Sequence, residues 1–480
     1  MACISHLVKL LFFVCYAAMM NGVMASTYKV FKLERSVETI DDQMELARLQ
    51  YRDNKRHSRG GGILNFSIGG ESDPSMTGLY YTRIKIGSPP REFTVDFDTG
   101  SDKLWLTCSP CRGCPLSSQL GIDLNLFNPA SSYSASHILC SDKSCPSYVS
   151  DCANKNSSCE LMVNYADGGN ATGYYLTDTM HFDTISGHSE NSSVPIVFGC
   201  GTQMGGSLTE DGQAVDGIIG FGYRYPSVIS QLSSKQLIPG VFSHCLRGEG
   251  GGKLVLGEVI AAGIVYTPLV LSKEHYDVNL LSITVNGQPL PVNPNIYKTS
   301  DSRGTIVDSG TTLSYLVEEA YDPFISAINV VVSPYAAPVI FEGNQCYKTG
   351  NRGIDMFPEI SFNFIGNASI VLTPKDYILN SRPFIGGVSS SCIGFLKTSV
   401  SSITILGDLV LKDKIVIYDL AGKRLGWVNY NCSLEMKVNT TYGWDDNSAA
   451  AIRRQPRASR LRLFLVMCLV YVIISRNGLL

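Results

Sequence analysis

One pattern, met twice, limits what this 480-residue chain can fold into. Phe93-Thr94-Val95-Asp96-Phe97 runs into Asp98-Thr99-Gly100-Ser101, and Gly304-Thr305-Ile306-Val307 runs into Asp308-Ser309-Gly310-Thr311. Each is an apolar, β-branched stretch that reads as a buried strand and stops at a carboxylate, a hydroxyl residue, glycine and a second hydroxyl residue. Glycine lets the backbone turn sharply and approach another segment, while the hydroxyls hydrogen-bond the carboxylate and hold it still. A single such loop is ordinary turn chemistry. Two of them, 210 positions apart, ask for a duplicated lobe. A second echo agrees, since Ile218-Ile219-Gly220 follows the first Asp loop and Ile405-Leu406-Gly407 follows the second.

With these motifs the sequence resembles the pepsin-like aspartic proteases over roughly residues 78–432. Tyr165 in the Gly-rich stretch Asn164-Tyr165-Ala166-Asp167-Gly168-Gly169-Asn170 and the ending Ile405-Leu406-Gly407-Asp408 belong to the same match. The resemblance implies an all-β, two-lobed fold with a cleft between the lobes and a catalytic pair, Asp98 and Asp308. It also implies Ser101 and Thr311 as the groups that orient them, Tyr165 as an inward-pointing flap residue, and Trp105 as its hydrogen-bond partner. A plain core tryptophan is the alternative at 105. Ala166 stands where the family usually has glycine, which puts the mobility of the flap in question.

Length suits two lobes with separate cores, expected over residues 74–262 and 263–435. The 45 glycines and many short apolar runs favour strands over helices, the clearest helical pattern being Val317 to Val331. A formal net charge of −3 gives no reason to expect a nucleic-acid partner. Met1 to Ala25 reads as a secretory signal, with Leu10 to Met20 as its apolar run and Val23-Met24-Ala25 as the cleavage site.

Of fifteen cysteines, twelve are left once Cys3, Cys15 and Cys468 are set aside with the terminal segments, an even number that implies six disulfides in an oxidising compartment. Cys108, Cys111 and Cys114 have the spacing of a zinc or redox motif, but after a signal peptide a disulfide knot takes precedence. Spacing does not give connectivity. The cysteine pattern resembles the plant nepenthesin-like branch, which implies Cys108 with Cys111, Cys114 with Cys200, Cys140 with Cys159, Cys145 with Cys152, Cys245 with Cys432 and Cys346 with Cys392.

Residues 26–73 read as a propeptide whose basic run Arg52, Lys55, Arg56 and Arg59 shields the carboxylates, or equally as a leader that stays attached. Sequons at Asn65, Asn156, Asn170, Asn191, Asn367, Asn431 and Asn439 fit a glycosylated surface. In the tail, residues 436–480, small residues from Asn447 and Ser448 precede a basic spacer and an apolar run, Leu463 to Ile474. As a helix that run rises only about 18 Å, against roughly 30 Å of hydrocarbon core. The order fits a GPI signal with attachment at Asn447 or Ser448; a short single-pass anchor is the alternative.

The chemistry expected of the pair is hydrolysis of a peptide bond. Two neighbouring carboxyls that share one proton serve together as base toward water and acid toward the carbonyl. The expected partners are a peptide or protein substrate and, through the anchor, a membrane. No metal or organic cofactor is needed, and a monomer is expected. Competing functions are a non-catalytic binding or inhibitor relative, favoured locally only by Ala166, and a surface adhesion module, which leaves both Asp loops unexplained.

Overall fold

The computed structural model describes residues 29–32, 69–71, 78–149, 152, 154–182, 192–341, 343–379, 384–385, 387–398 and 402–438. The signal segment, most of the expected propeptide with its basic run, Asn65, Asn191 and Asn439, and the tail with Asn447 and Ser448 lie outside the described residues. Residues 28–439 form one compact unit. Its secondary structure is overwhelmingly β, as the short apolar runs require.

The Asp98 strand, Arg91–Asp98, sits inside a nine-stranded sheet, between the antiparallel Leu79–Ile86 and the parallel Gly217–Gly220. Its odd-numbered apolar residues pack on one face, where Phe93 meets Phe127, and Phe97 meets Phe221 and His244 edge-on. The second repeat is built the same way. Arg303–Val307 runs parallel to Ser402–Leu406, with Ile306 opposite Ile405 and Val307 opposite Leu406. The two apolar-apolar-Gly stretches are therefore the strands that flank the two Asp strands. A side chain at Gly220 would strike the Lys103 amide nitrogen at 2.4 Å, and one at Gly407 would meet the carbonyls of Leu313 and Thr311 at 2.0 and 2.2 Å. Glycine is thus required where each flanking strand passes under its Asp loop.

A six-stranded sheet draws from both halves of the chain in the order Lys29–Lys32, Gly252–Leu256, Val241–Leu246, Lys414–Asp419, Arg424–Asn429 and Val265–Pro268. Phe242 stacks on Tyr418 in its middle, with ring centroids 4.4 Å apart. The helical pattern near 320 forms the helix Glu318–Val332, which buries Phe324, Ile325 and Ile328. Two short strands of the expected propeptide are also paired: Lys29–Lys32 on Gly252–Leu256, and Gly69–Glu71 on Leu79–Ile86.

Six disulfides join the twelve expected cysteines, and four of the six expected pairings are corrected. The structure joins Cys108 to Cys200, Cys111 to Cys114, Cys140 to Cys152 and Cys145 to Cys159. The strand Leu104–Arg112 runs parallel to Ser192–Gly205 with Leu106 opposite Cys200, which brings the Cys108 and Cys200 Cα atoms to 5.4 Å and leaves Cys114 to Cys111. Cys159 is buried in the apolar cluster around Trp105, and Cys145 packs against the same cluster, so these two meet there. Cys245–Cys432 and Cys346–Cys392 are as expected.

Candidate functional site

Both Asp loops close on themselves in the same way. Asp98 Oδ1 accepts from the Gly100 amide at 2.7 Å, and Oδ2 from the Ser101 hydroxyl at 2.5 Å. Asp308 Oδ1 accepts from the Gly310 amide at 2.9 Å, and Oδ2 from the Thr311 hydroxyl at 2.6 Å. Each carboxylate is therefore fixed by an amide two residues on and a hydroxyl three residues on, and Ser101 and Thr311 stand in the positions expected of them.

The loops also hold each other. The Thr99 amide donates to Ser309 Oγ at 3.1 Å, the Ser309 amide donates to Thr99 Oγ1 at 2.8 Å, and the Ser309 hydroxyl donates to the Phe97 carbonyl at 3.0 Å. The glycines allow this closeness: a Cβ on Gly100 would lie 2.4 Å from Asp308 Oδ1, and a Cβ on Gly310 would lie 2.4 Å from Asp98 Oδ1. Thr99 and Ser309 were legible only as hydroxyls in the motif, with nothing in the sequence to show that each reaches the other loop. His275 Nδ1 adds a contact from the second half of the chain, 2.7 Å from the Gly100 carbonyl.

Burial, and after it the Asp308 charge, push Asp98 up to about 7, against the pull of its bonds from Ser101 and Gly100. Two further carboxyls surround the pair. Asp96 and Asp408 are 9% and 1% exposed, and burial first, then the neighbouring carboxylates, hold both well above the usual range. Neither featured among the expected site residues. Asp96 is hard to read from sequence because it occupies an alternate position of a strand otherwise rich in apolar residues.

Over the first loop lies a hairpin of Glu160–Asn164 and Asn170–Phe182. Tyr165 stands at its tip, and the Trp105 ring nitrogen donates to the Tyr165 hydroxyl at 2.8 Å, so Trp105 serves core and flap at once. Ala166 does not take the left-handed backbone that glycine is needed for; in this turn Gly168 does, at φ 89°. Asp167 ties the tip down, accepting from the Gly169 amide at 2.9 Å and the Ser207 hydroxyl at 2.6 Å. The sequon residues Asn156, Asn367 and Asn431 are exposed, whereas Asn170 is half-buried at the flap, its amide donating to the Gly168 carbonyl at 3.4 Å.

Residues 80–258 match the family described as xylanase inhibitor N-terminal, and residues 275–429 the one described as xylanase inhibitor C-terminal. Aspartic proteinase 36 and Aspartic proteinase 39 of Arabidopsis thaliana are each 34% identical to this chain, over 84% and 87% of it and 84% and 88% of their own lengths. Aspartic proteinase nepenthesin-2 of Nepenthes gracilis is 30% identical over 74% of this chain and 78% of its own.

Proposed function

Since this chain belongs to the pepsin-like aspartic proteinases and is an aspartic endopeptidase, we propose that Asp98 and Asp308 are its catalytic pair, sharing one proton at acid pH. The observation that carries the reading is the reciprocal bonding of the loops, which sets each carboxylate against the glycine of the other. Carboxyls so placed do not both ionise readily, as is general for aspartic-protease dyads. The ionised member takes a proton from a water between the two as that water attacks the peptide carbonyl. The protonated member hydrogen-bonds the carbonyl oxygen as it becomes tetrahedral. Collapse then breaks the C–N bond, and a proton from the pair goes to the leaving amine. The proton belongs to the pair as a whole, so neither residue is assigned it. Ser101 and Thr311 hold the carboxylates in place, and Tyr165 covers the substrate.

The test is peptidase activity of the purified protein across acid pH, with and without a peptide whose hydroxyl mimics the tetrahedral species. Activity on the acid side of neutrality that this peptide suppresses supports the pair; hydrolysis indifferent to the inhibitor overturns it. The xylanase inhibitor descriptions of the matched families favour a second reading, a non-hydrolytic binding protein, against which the two complete Asp loops weigh. We further propose passage through the secretory pathway, glycosylation at the exposed sequons, and display at the cell surface on a GPI anchor attached at Asn447 or Ser448. Release of the activity from membranes by a phosphatidylinositol-specific phospholipase tests the anchor, and retention with peptides from Leu463 onward overturns it.

A further inference from the structure

Asp96 stands two residues before Asp98 on one strand, so the two carboxyls share a face of the sheet while Phe93 and Phe97 occupy the other. Across the sheet Asp96 is in register with Tyr81 on one side and Ile218 on the other, and Ile218 in turn with Trp105. Residues so opposed share a face. Trp105 holds the flap through Tyr165, and Ile218, Trp105 and Tyr165 pack in one cluster. Asp96 therefore belongs to the cleft floor, beside Asp98 and beneath the flap.

Its carboxyl is nine-tenths buried, and its Oδ1 accepts no hydrogen bond among the described residues. A buried carboxyl left in this state is costly unless something pairs with it. The strand does not demand it, because the corresponding position of the second repeat, two before Asp308, is the apolar Ile306. The titratable groups around it are Asp98, Tyr81 on the adjoining strand, Tyr165 and Asp167 of the flap, and Asp308 and Asp408. None is a base. The fold thus gathers acidic groups around a carboxyl that is bonded by the Phe97 amide but whose Oδ1 has no partner among the described residues, while the cation Lys412 acts on Asp408.

We propose that Asp96 forms the end of a substrate subsite beside Asp98 that takes a lysine or arginine side chain, so that the enzyme cuts preferentially next to a basic residue. Ile218, in register with Asp96 on the adjoining strand, offers apolar surface to the methylene stem, and the charged head pairs with Asp96. Burial and acidic neighbours keep Asp96 protonated in acid, where the subsite accepts neutral side chains. As pH rises Asp96 ionises, and the preference for a base grows. This inference rests on the endopeptidase reading.

The test uses pairs of peptides with lysine or norleucine, placed in turn at each residue flanking the scissile bond. The wild-type protein is expected to favour lysine in kcat/KM at one of the two positions by about ten-fold or more, and more strongly as pH rises. Asp96→Leu is expected to reverse that preference, and Asp96→Asn, which keeps the shape, to remove its dependence on pH. A lysine-to-norleucine ratio near one in the wild-type protein overturns the subsite, as does a ratio and pH dependence that survive in Asp96→Asn. If no peptide is cleaved the endopeptidase reading fails. The subsite is then judged by the affinities of reduced-amide versions of the same peptides, equal values for lysine and norleucine overturning it.

Discussion

At Asp98 and Asp308 the reaction depends on a proton that neither side chain owns. Asparagine keeps the shape of either carboxyl but does not share that proton, so Asp98→Asn and Asp308→Asn are each expected to lower kcat by about 10³-fold or more with little change in Tm. Active-site titration and thermal unfolding of the same preparations check this, and turnover near the wild-type level in either variant counts against the pair. Ser101→Ala and Thr311→Ala each remove one bond to a charged oxygen, worth about 1.5–3 kcal/mol, and are expected to cost roughly ten- to a hundred-fold in kcat/KM. These four residues were legible in the sequence because each acts within its own four-residue loop. Thr99 and Ser309 form their bonds to the other loop, 210 residues away, and no local pattern displays a contact of that span.

Among the elements, the flap shows what a motif does and does not reveal. Its place was readable from polar and glycine residues between apolar strands, and Tyr165 with it. The contacts of its tip were not, because Asp167 is fastened to Ser207, forty residues on and outside the hairpin. Replacing Asp167 with alanine frees the tip. The expected result is faster hydrogen exchange at Gly168 and Gly169, and a KM that rises more than kcat falls; unaltered exchange would remove Asp167 from this role. From sequence Ala166 puts the mobility of the flap in question, yet the turn's left-handed position is Gly168, so alanine at 166 is unstrained. The cysteines teach a related lesson, since register between strands selects partners that spacing cannot. Mass spectrometry of an unreduced digest is expected to recover Cys108 linked to Cys200 and Cys145 linked to Cys159; recovery of Cys114 with Cys200 would contradict it.

For the whole molecule, buried carboxyls set how stability follows pH. Asp96, Asp98, Asp102, Asp216, Asp277 and Asp408 are all raised, burial being the first cause in each, with Asp98 up to about 7 and Asp216 and Asp277 up to about 6. The folded chain binds these protons more tightly than the unfolded one. Their contribution is complete below the ordinary carboxyl value near 4 and is lost as pH rises through each raised value, which for Asp98, Asp216 and Asp277 means through about 6 to 7. Buried His244 acts in the opposite sense: burial lowers it to about 3, so its contribution is present above about 6.5 and lost as pH falls. Six groups outweigh one, and Tm is expected to be several degrees higher near pH 4.5 than near pH 7.5 by calorimetry. A Tm that climbs toward neutrality would contradict it.

The bond between Cys245 and Cys432 has a topological consequence. It spans 187 positions, so the chain from the six-stranded sheet through the entire second repeat is a closed covalent ring, not an open thread. Closing a loop of that length removes roughly 5 kcal/mol of freedom from the unfolded chain. A ring cut once becomes a line whose two ends are still tethered. A single cleavage between these cysteines, by the enzyme itself or by another, therefore releases no fragment and leaves the apparent mass intact until a reductant separates the pieces.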